Sequence, residues 1–488
     1  MFVSGIIGAL ILFSLTAFVL LVPSRPTLFS YLVGAFSALV IIIHFVFTAG
    51  SRNKRVESTA FLIPLLSLSM LFIILPLVFA AALYYWGVYS FFSWVLLISL
   101  GIVFYNNFLF IPLAVYHKYR EKKQANDARY YPSLTVLIPA FNEEKVLRRT
   151  VEAVLASEYP RKEVIVIDDG SIDKTYRIAQ GFKDCGVKVI PRPNGGKAIA
   201  LNHGIKFAQG EIVVVVDADS QITRDTLAEV VQPFRNPDVA AVAGNIKVLN
   251  RMNWLTKCQA LEYIASINLY RRALDVFGSV SVVPGALGAY RRDILESGGF
   301  YDADTLVEDF DVTMKALKTG YTVQACNRAV SYTEAPQTVG DFIKQRLRWY
   351  RGNFQALWKH RDAAMNSRYG FLQKLAFPYM FISMTFIPLA GLVNIAAIVM
   401  TVLDGVGLAL IPVLIFFFLL QYMISFLAIR LEGEDRQLAL YSPLLVIGYK
   451  NVCDFVMMRS FFDVVFRKKL KWTSVRRTGA RVSKSAMS

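Results

Sequence analysis

Four apolar runs, at 3–21, 28–48, 60–85 and 91–115, constrain this chain more than any other feature. Each is close to the ~20 residues that a helix needs to cross ~30 Å of hydrocarbon. A soluble protein can bury one such run as a core helix, but four in succession point to a bilayer. The 488 residues are 55% hydrophobic, too apolar for an ordinary soluble chain of that length. The first run lacks a basic start and is followed at once by further runs, so it reads as a retained helix and not a signal peptide. Two more runs of spanning length, at 371–402 and 408–428, lie toward the other end.

Lys and Arg accumulate on the cytoplasmic side of a membrane, so the loops give the orientation. "SRNKRVE" (51–57) and "HKYREKKQANDAR" (117–129) are basic, whereas "YWGVY" (85–89) is uncharged. The amino terminus and everything after 129, up to re-entry into the bilayer, are therefore expected in the cytoplasm. The segment at 440–466 is long enough to cross but carries Lys450, Asp454, Arg459 and Asp463, which suggests an interfacial helix or one lining a polar path. The basic tail at 467–488 should be cytoplasmic, which requires an even number of crossings after the soluble region. The four cysteines, Cys185, Cys258, Cys326 and Cys453, have no paired spacing and read as reduced thiols, neither a disulfide framework nor a zinc site.

Between 130 and 361 short apolar strands alternate with helical stretches, the pattern of an α/β domain. Several strands end in acids. "EIVVVVDADSQ" (211–221) runs a buried-type strand into Asp217 and Asp219, which could make a turn or offer two hard oxygen ligands to a metal. "EVIVIDDGSIDKT" (163–175) ends its strand on Asp168 and Asp169, where open α/β sheets bind ligands, while Asp173 suits a helix cap. "TVLIPAFNEEKVL" (135–147) ends similarly in Asn142, Glu143 and Glu144. "PNGGKAIALNHGI" (193–205) sets Lys197 ahead of a helix as an anion ligand, without P-loop spacing, which argues against an ATP-driven transporter. "TLVEDFDVTMKALKTGY" (305–321) gathers Glu308, Asp309 and Asp311 before a helix, where acids also complement the dipole. In "KQRLRWYRGN" (344–353), Gln345, Arg348 and Trp349 lie at i, i+3 and i+4, so amide, guanidinium and indole share one helical face.

The order of these signals resembles the processive inverting glycosyltransferases with the GT-A fold. Asp-Asp-Gly-Ser, Asp-x-Asp, Glu-Asp and Gln-x-x-Arg-Trp follow one another in a region flanked by membrane runs, as in cellulose, chitin, hyaluronan and poly-N-acetylglucosamine synthases. The likeness covers 133–353 by motif and the rest by architecture. It implies an α/β GT-A (Rossmann-like) cytoplasmic catalytic domain inserted between α-helical transmembrane bundles. The parts would be transmembrane helices at 1–116, the transferase domain at 130–361, transmembrane and interfacial helices at 362–466, and a basic tail at 467–488.

The resemblance also implies roles. Ala140, Phe141, Glu143, Asp168 and Asp169 would surround the nucleotide, with Lys197 near it or its diphosphate. Asp217 and Asp219 would hold Mg2+ or Mn2+. Asp309, beside Glu308, would be the catalytic base, although Val307 stands where the family has threonine. Gln345, Arg348 and Trp349 would meet the diphosphate and acceptor, as would Gly285 and Ala286 of the acceptor loop "VPGALGAYRR" (283–292). Trp472, Arg476 and Arg477 loosely resemble a gating segment, although a solvated basic end drawn to anionic lipid is the plainer reading. The implied partners are a UDP-sugar, a growing β-linked polysaccharide and the lipid of the cell membrane, with no nucleic acid. UDP-N-acetylglucosamine is favoured; hyaluronan or cellulose synthesis, a non-processive transferase acting on a lipid, and an exporter or receptor that binds the nucleotide without turnover are the alternatives.

Overall fold

The computed structural model describes residues 91–124, 129–405, 407–468 and 479. The runs at 3–21, 28–48 and 60–85, the loops at 51–57 and 85–89, and Trp472, Arg476 and Arg477 lie outside those residues. Of two compact units, Met1–Val78 and Phe79–Ser488, the second contains every described residue.

Its centre is an eight-stranded sheet built from β1 (Leu134–Ala140), β2 (Lys162–Asp168), β3 (Val187–Pro191), β4 (Ile212–Val215), β5 (Ser220–Ile222), β6 (Val239–Val248), β7 (Gly288–Arg291) and β8 (Thr322–Thr333). The spatial order is β3-β2-β1-β4-β7-β6-β8-β5. The first four are mutually parallel, as the strand–helix alternation predicts, and β7 enters antiparallel between β4 and β6. Parallel strands covered on both faces need apolar side chains on both. Val136, Ile138, Val164, Val166, Val214 and Val216 accordingly join one apolar cluster, and Leu137, Ile165, Ile167, Val213 and Val215 the other.

Chain order reverses at β1, with β2 and β3 on one side and β4 on the other. Such a switch point opens a crevice at the carboxyl ends of the strands. Register pairs Ala140 with Asp168 and Leu137 with Val215, so three strand tips share one rim.

Outside the sheet, two helices among the described residues are long and apolar enough to cross a bilayer, Leu372–Leu403 and Leu414–Glu432. They coincide with the runs at 371–402 and 408–428. The segment at 440–466 is broken into a 3-10 stretch, Arg436–Leu445, and a helix, Tyr449–Val465. Three of its four charged residues are engaged within the protein: Asp463 meets Arg351 and Lys468, and Lys450 lies 2.6 Å from Asp454.

The helix Phe91–Gln124 contradicts one expectation, because it continues beyond 115 through most of the stretch read as a basic loop. The reason is local pairing. His117 Nε2 lies 2.8 Å from Asp275, Arg120 meets the same carboxylate, and Glu121 lies 3.1 Å from Arg272. Arg272 is almost wholly buried and also bonds Glu432, at the end of the Leu410–Glu432 helix, through Nε and Nη2 at 2.7 Å.

Removing one partner of such a buried pair leaves the other charge stranded. Glu432→Ala is expected to lower unfolding free energy by about 3 kcal/mol, with Glu121 retaining part of the pairing. Thermal unfolding in detergent would register this as a clear drop in midpoint; an unchanged midpoint would mean that the pair contributes nothing.

Candidate functional site

The loops after β1 and β2 are stitched together at the rim. Asn142 N–H donates to Ser171 Oγ (3.0 Å), Ile172 N–H to Asn142 Oδ1 (2.9 Å) and Glu143 N–H to Thr175 Oγ1 (2.8 Å). Asn142 takes φ +56° to do this, a conformation that asparagine tolerates better than most residues. Phe141 stands exposed above buried Ala140 and Asp168. Asp168 Oδ2 accepts from Ser171 N–H at 3.3 Å, while its shielded Oδ1 has no partner among the described residues. Ala140, Phe141, Glu143 and Asp168 thus lie along one edge of the crevice.

Asp169 has a different task from the expected one. Its buried carboxylate accepts from Gly195 N–H (3.1 Å) and Gly196 N–H (2.8 Å) and pairs with Arg192. It folds the loop that delivers Lys197, the first residue of the helix Lys197–Ile205.

Lys197 draws the acids together. Its Nζ lies 2.6 Å from Asp217 Oδ1 and 2.7 Å from Glu308 Oε1. Gly285 covers this group so closely that a Cβ there would sit 2.3 Å from Lys197 Nζ. Gly285 N–H donates to Asp309 Oδ2 at 3.3 Å, and Phe310 N–H donates to Asp309 Oδ1 at 2.8 Å. Desolvation, with Glu308 beside it, pushes Asp309 up to about 6, although Lys197 and the two N–H donors pull the other way. The loop at 283–287 is pinned by Thr313 Oγ1, which accepts from Val283 N–H (2.9 Å), and by Ser331 Oγ, which donates to Ala286 O (3.1 Å).

Gln345, Arg348 and Trp349 fall on the helix Val339–Lys359, with Gln345 buried and the other two half-buried. Sequence reasoning missed their neighbour Arg346, whose guanidinium lies 4.7 Å from the Trp349 ring centroid and pairs with Glu262. It also missed Gly352. A Cβ at Gly352 would come within 2.8 Å of both Val307 methyl carbons and 3.0 Å of its backbone nitrogen. Val307, standing where threonine was expected, is therefore packed flat against this helix. A glycine in a helix interior was the available signal, since it weakens the helix unless packing requires it.

Asp217 and Asp219 suit a divalent cation. Their oxygens are hard donors, and Thr150 Oγ1 fixes the turn between them by donating to Ala218 O at 2.7 Å. Asp217, Glu308 and Asp309 together outweigh the Lys197 ammonium, leaving negative charge for a cation to balance. A second acidic group, Asp302, Asp304 and Asp311, brings oxygens within 4.8 Å of one another. There Lys359 Nζ already lies 2.6, 2.8 and 2.9 Å from the three carboxylates and Lys315 Nζ lies 2.7 Å from Asp302, so ammonium groups already occupy the cluster.

A mixed sheet with a switch-point crevice and an acid–lysine cluster at its rim is the arrangement of a ligand-binding α/β domain. Residues 135–299 match the family model "Glycosyl transferase family 2", and the sheet has a GT-A, Rossmann-like α/β fold. Poly-beta-1,6-N-acetyl-D-glucosamine synthase of Staphylococcus epidermidis is 34% identical over 227 residues, 46% of this chain and 55% of the relative. The enzyme of that name from Staphylococcus aureus is 31% identical over 238 residues, 48% of this chain and 58% of the relative. The chain thus spans little more than half the length of these curated relatives. A solved mannosyltransferase, PcManGT from Pyrobaculum calidifontis in complex with GDP-Man and Mn2+, shares the fold with TM-score 0.51 and 22% identity, over 76% of this chain and 100% of that one.

The close fit of Gly352 on Val307 is testable. Gly352→Ala is expected to cost about 1–3 kcal/mol by overpacking and to displace Glu308 and Asp309 with Val307. Adding Val307→Ala removes the obstructing methyls, so the double variant should regain stability and activity over Gly352→Ala alone. No recovery would mean that the two side chains do not compete for the same space.

Proposed function

We propose that this chain is a membrane-embedded, processive inverting glycosyltransferase that builds a β-linked polysaccharide from a UDP-sugar, UDP-N-acetylglucosamine being favoured, and passes the product across the bilayer. The observation that carries the reading is Asp309: a recessed carboxylate raised to about 6, held by two backbone N–H groups beside the Lys197–Asp217–Glu308 cluster. General bases work best when their pKa lies near the operating pH. The named activity of the relatives supports the choice of sugar. The apolar runs and the two bilayer-length helices support a multi-pass protein of the cell membrane with its transferase domain in the cytoplasm.

In this reading Ala140, Phe141, Glu143 and Asp168 receive the uridine. Lys197 and Arg348 face the diphosphate and stabilise charge as it develops on the leaving group. Asp217 and Asp219 would hold Mg2+ or Mn2+, which when bound supplies further positive charge at the diphosphate. Asp309 takes the proton of the acceptor hydroxyl as that oxygen attacks the anomeric carbon, and one displacement inverts the centre. Trp349, steadied by Arg346 across its ring, offers an apolar face to the acceptor sugar, against which sugar C–H groups can stack. Gly285 admits the acceptor because any side chain there would collide with Lys197.

Incubation of purified protein with each UDP-sugar in turn, followed by sizing of the product, tests the whole reading. Long polymer from one donor is expected; UDP release without polymer would leave only a single-transfer enzyme. Asp309→Asn should retain UDP binding and lose about 10²- to 10⁴-fold in turnover. Because the base acts deprotonated, wild-type kcat/KM should fall as pH drops through about 6. A flat profile from pH 5 to 8 would remove Asp309 from that role. Asp219→Asn should weaken divalent binding measured by calorimetry as well as turnover, and unchanged metal affinity would clear this residue of metal ligation.

A further inference from the structure

The helix Trp254–Glu262 continues through a π-helical stretch, Tyr263–Asn268, into Leu269–Asp275. Such π segments are uncommon and recur at functional sites, because they re-aim the side chains that follow. Two consecutive arginines follow here. Arg272 has Glu432 and Glu121 as carboxylate partners and is almost wholly buried. Arg271 is half-buried, and its Nη1 is shielded from solvent with no partner among the described residues. An unsatisfied buried donor costs about 1–3 kcal/mol, more when charged, so a fold keeps one only where something else repays it.

The surroundings of Arg271 indicate what that is. Desolvation lowers it to about 10, and the charges that offset this are Asp309 first and Tyr263 second. The guanidinium therefore stands near the proposed base. Lys197, which the proposed reaction assigns to the diphosphate, is already engaged by Asp217 and Glu308, whereas Arg271 Nη1 has no partner among the described residues. We propose that Arg271 is an acceptor-binding residue, whose free N–H donates to a hydroxyl or amide-carbonyl oxygen of the saccharide that Asp309 deprotonates. Its part is to orient neutral sugar oxygen; it exchanges no proton in the reaction.

This inference rests on the transferase reading above, and the test keeps the two apart. In full-length, detergent-solubilised protein, three quantities are measured for wild type, Arg271→Gln and Arg271→Lys: UDP affinity by calorimetry, UDP release with water as acceptor, and sugar incorporated into polymer. Arg271→Gln is expected to lose roughly 10- to 100-fold in polymer synthesis, the worth of one charge-assisted hydrogen bond. Its UDP affinity and its slow hydrolysis of the donor should match wild type, which also certifies a folded site. Arg271→Lys should recover part of the polymer yield. Equal losses in hydrolysis and polymerisation, or weakened UDP binding, would overturn the acceptor role in favour of the diphosphate or the fold. Neither UDP release nor polymer from wild type with any UDP-sugar would dispose of the transferase reading itself.

Discussion

The Lys197 ammonium is the contact on which the crevice depends, because it lets acids from distant stretches stand side by side. Asp217 follows β4 and Glu308 opens a helix some ninety residues later, yet both lie within 2.7 Å of Lys197 Nζ. Without a cation between them, these carboxylates and Asp309 would repel across a poorly solvated gap. The loop ahead of Lys197 is fixed in turn by Asp169, and the space over its Nζ is left free by Gly285. In the proposed reaction the same ammonium would turn from the acids to the diphosphate, since both are oxyanions. A metal held at Asp217 would then balance the charge that Lys197 gives up.

The helix Val339–Lys359 transmits this arrangement outward. Its Gly352 receives Val307, immediately before Glu308, so the acid pair is seated by packing and not by its own hydrogen bonds alone. Its other faces are fastened to the helix Tyr449–Val465: Arg351 pairs with Asp463, Phe354 packs against Phe461, and Phe342 packs against Tyr449. Asp463, one of the charged residues that looked costly within an apolar segment at 440–466, is explained by this seam. Asp463 ties the segment to the helix Val339–Lys359, while Lys450 and Asp454 offset each other within the segment.

The strand tips were legible in the sequence because buried parallel strands carry unbroken β-branched runs, and an acid that ends such a run stands out. Asp168 and Asp217 could be picked out for that reason, and Lys197 and Glu308 because they stand at the start of helices. What could not be read was contact between segments far apart in sequence. Asp169 looks like Asp168 in sequence, and only the close approach of Gly195 and Gly196 separates their tasks. Arg271 and Arg272 are likewise indistinguishable by composition, yet one is matched by Glu121 and Glu432 and the other retains a free donor. The stretch at 117–124 looked like a loop because its charges were counted without partners; Asp275 and Arg272 supply them and the helix continues.

These contacts converge on the continuous helical rod from Trp254 to Asp275. At Glu262 it meets Arg346 and Tyr449, and hence the helix bearing Trp349 and the helix packed along it. At Arg272 and Asp275 it meets Glu121, Glu432, His117 and Arg120, near the carboxyl ends of the helices Phe91–Gln124 and Leu410–Glu432. Arg271 lies between those two anchorages. A polymer moving past Trp349 toward the apolar helices would therefore run alongside one rigid element whose polar contacts are fixed at both ends. A π segment in that rod, where ordinary helical bonding is given up, is intelligible if the extra residue is what leaves one arginine with a free donor and turns the next toward Glu121 and Glu432.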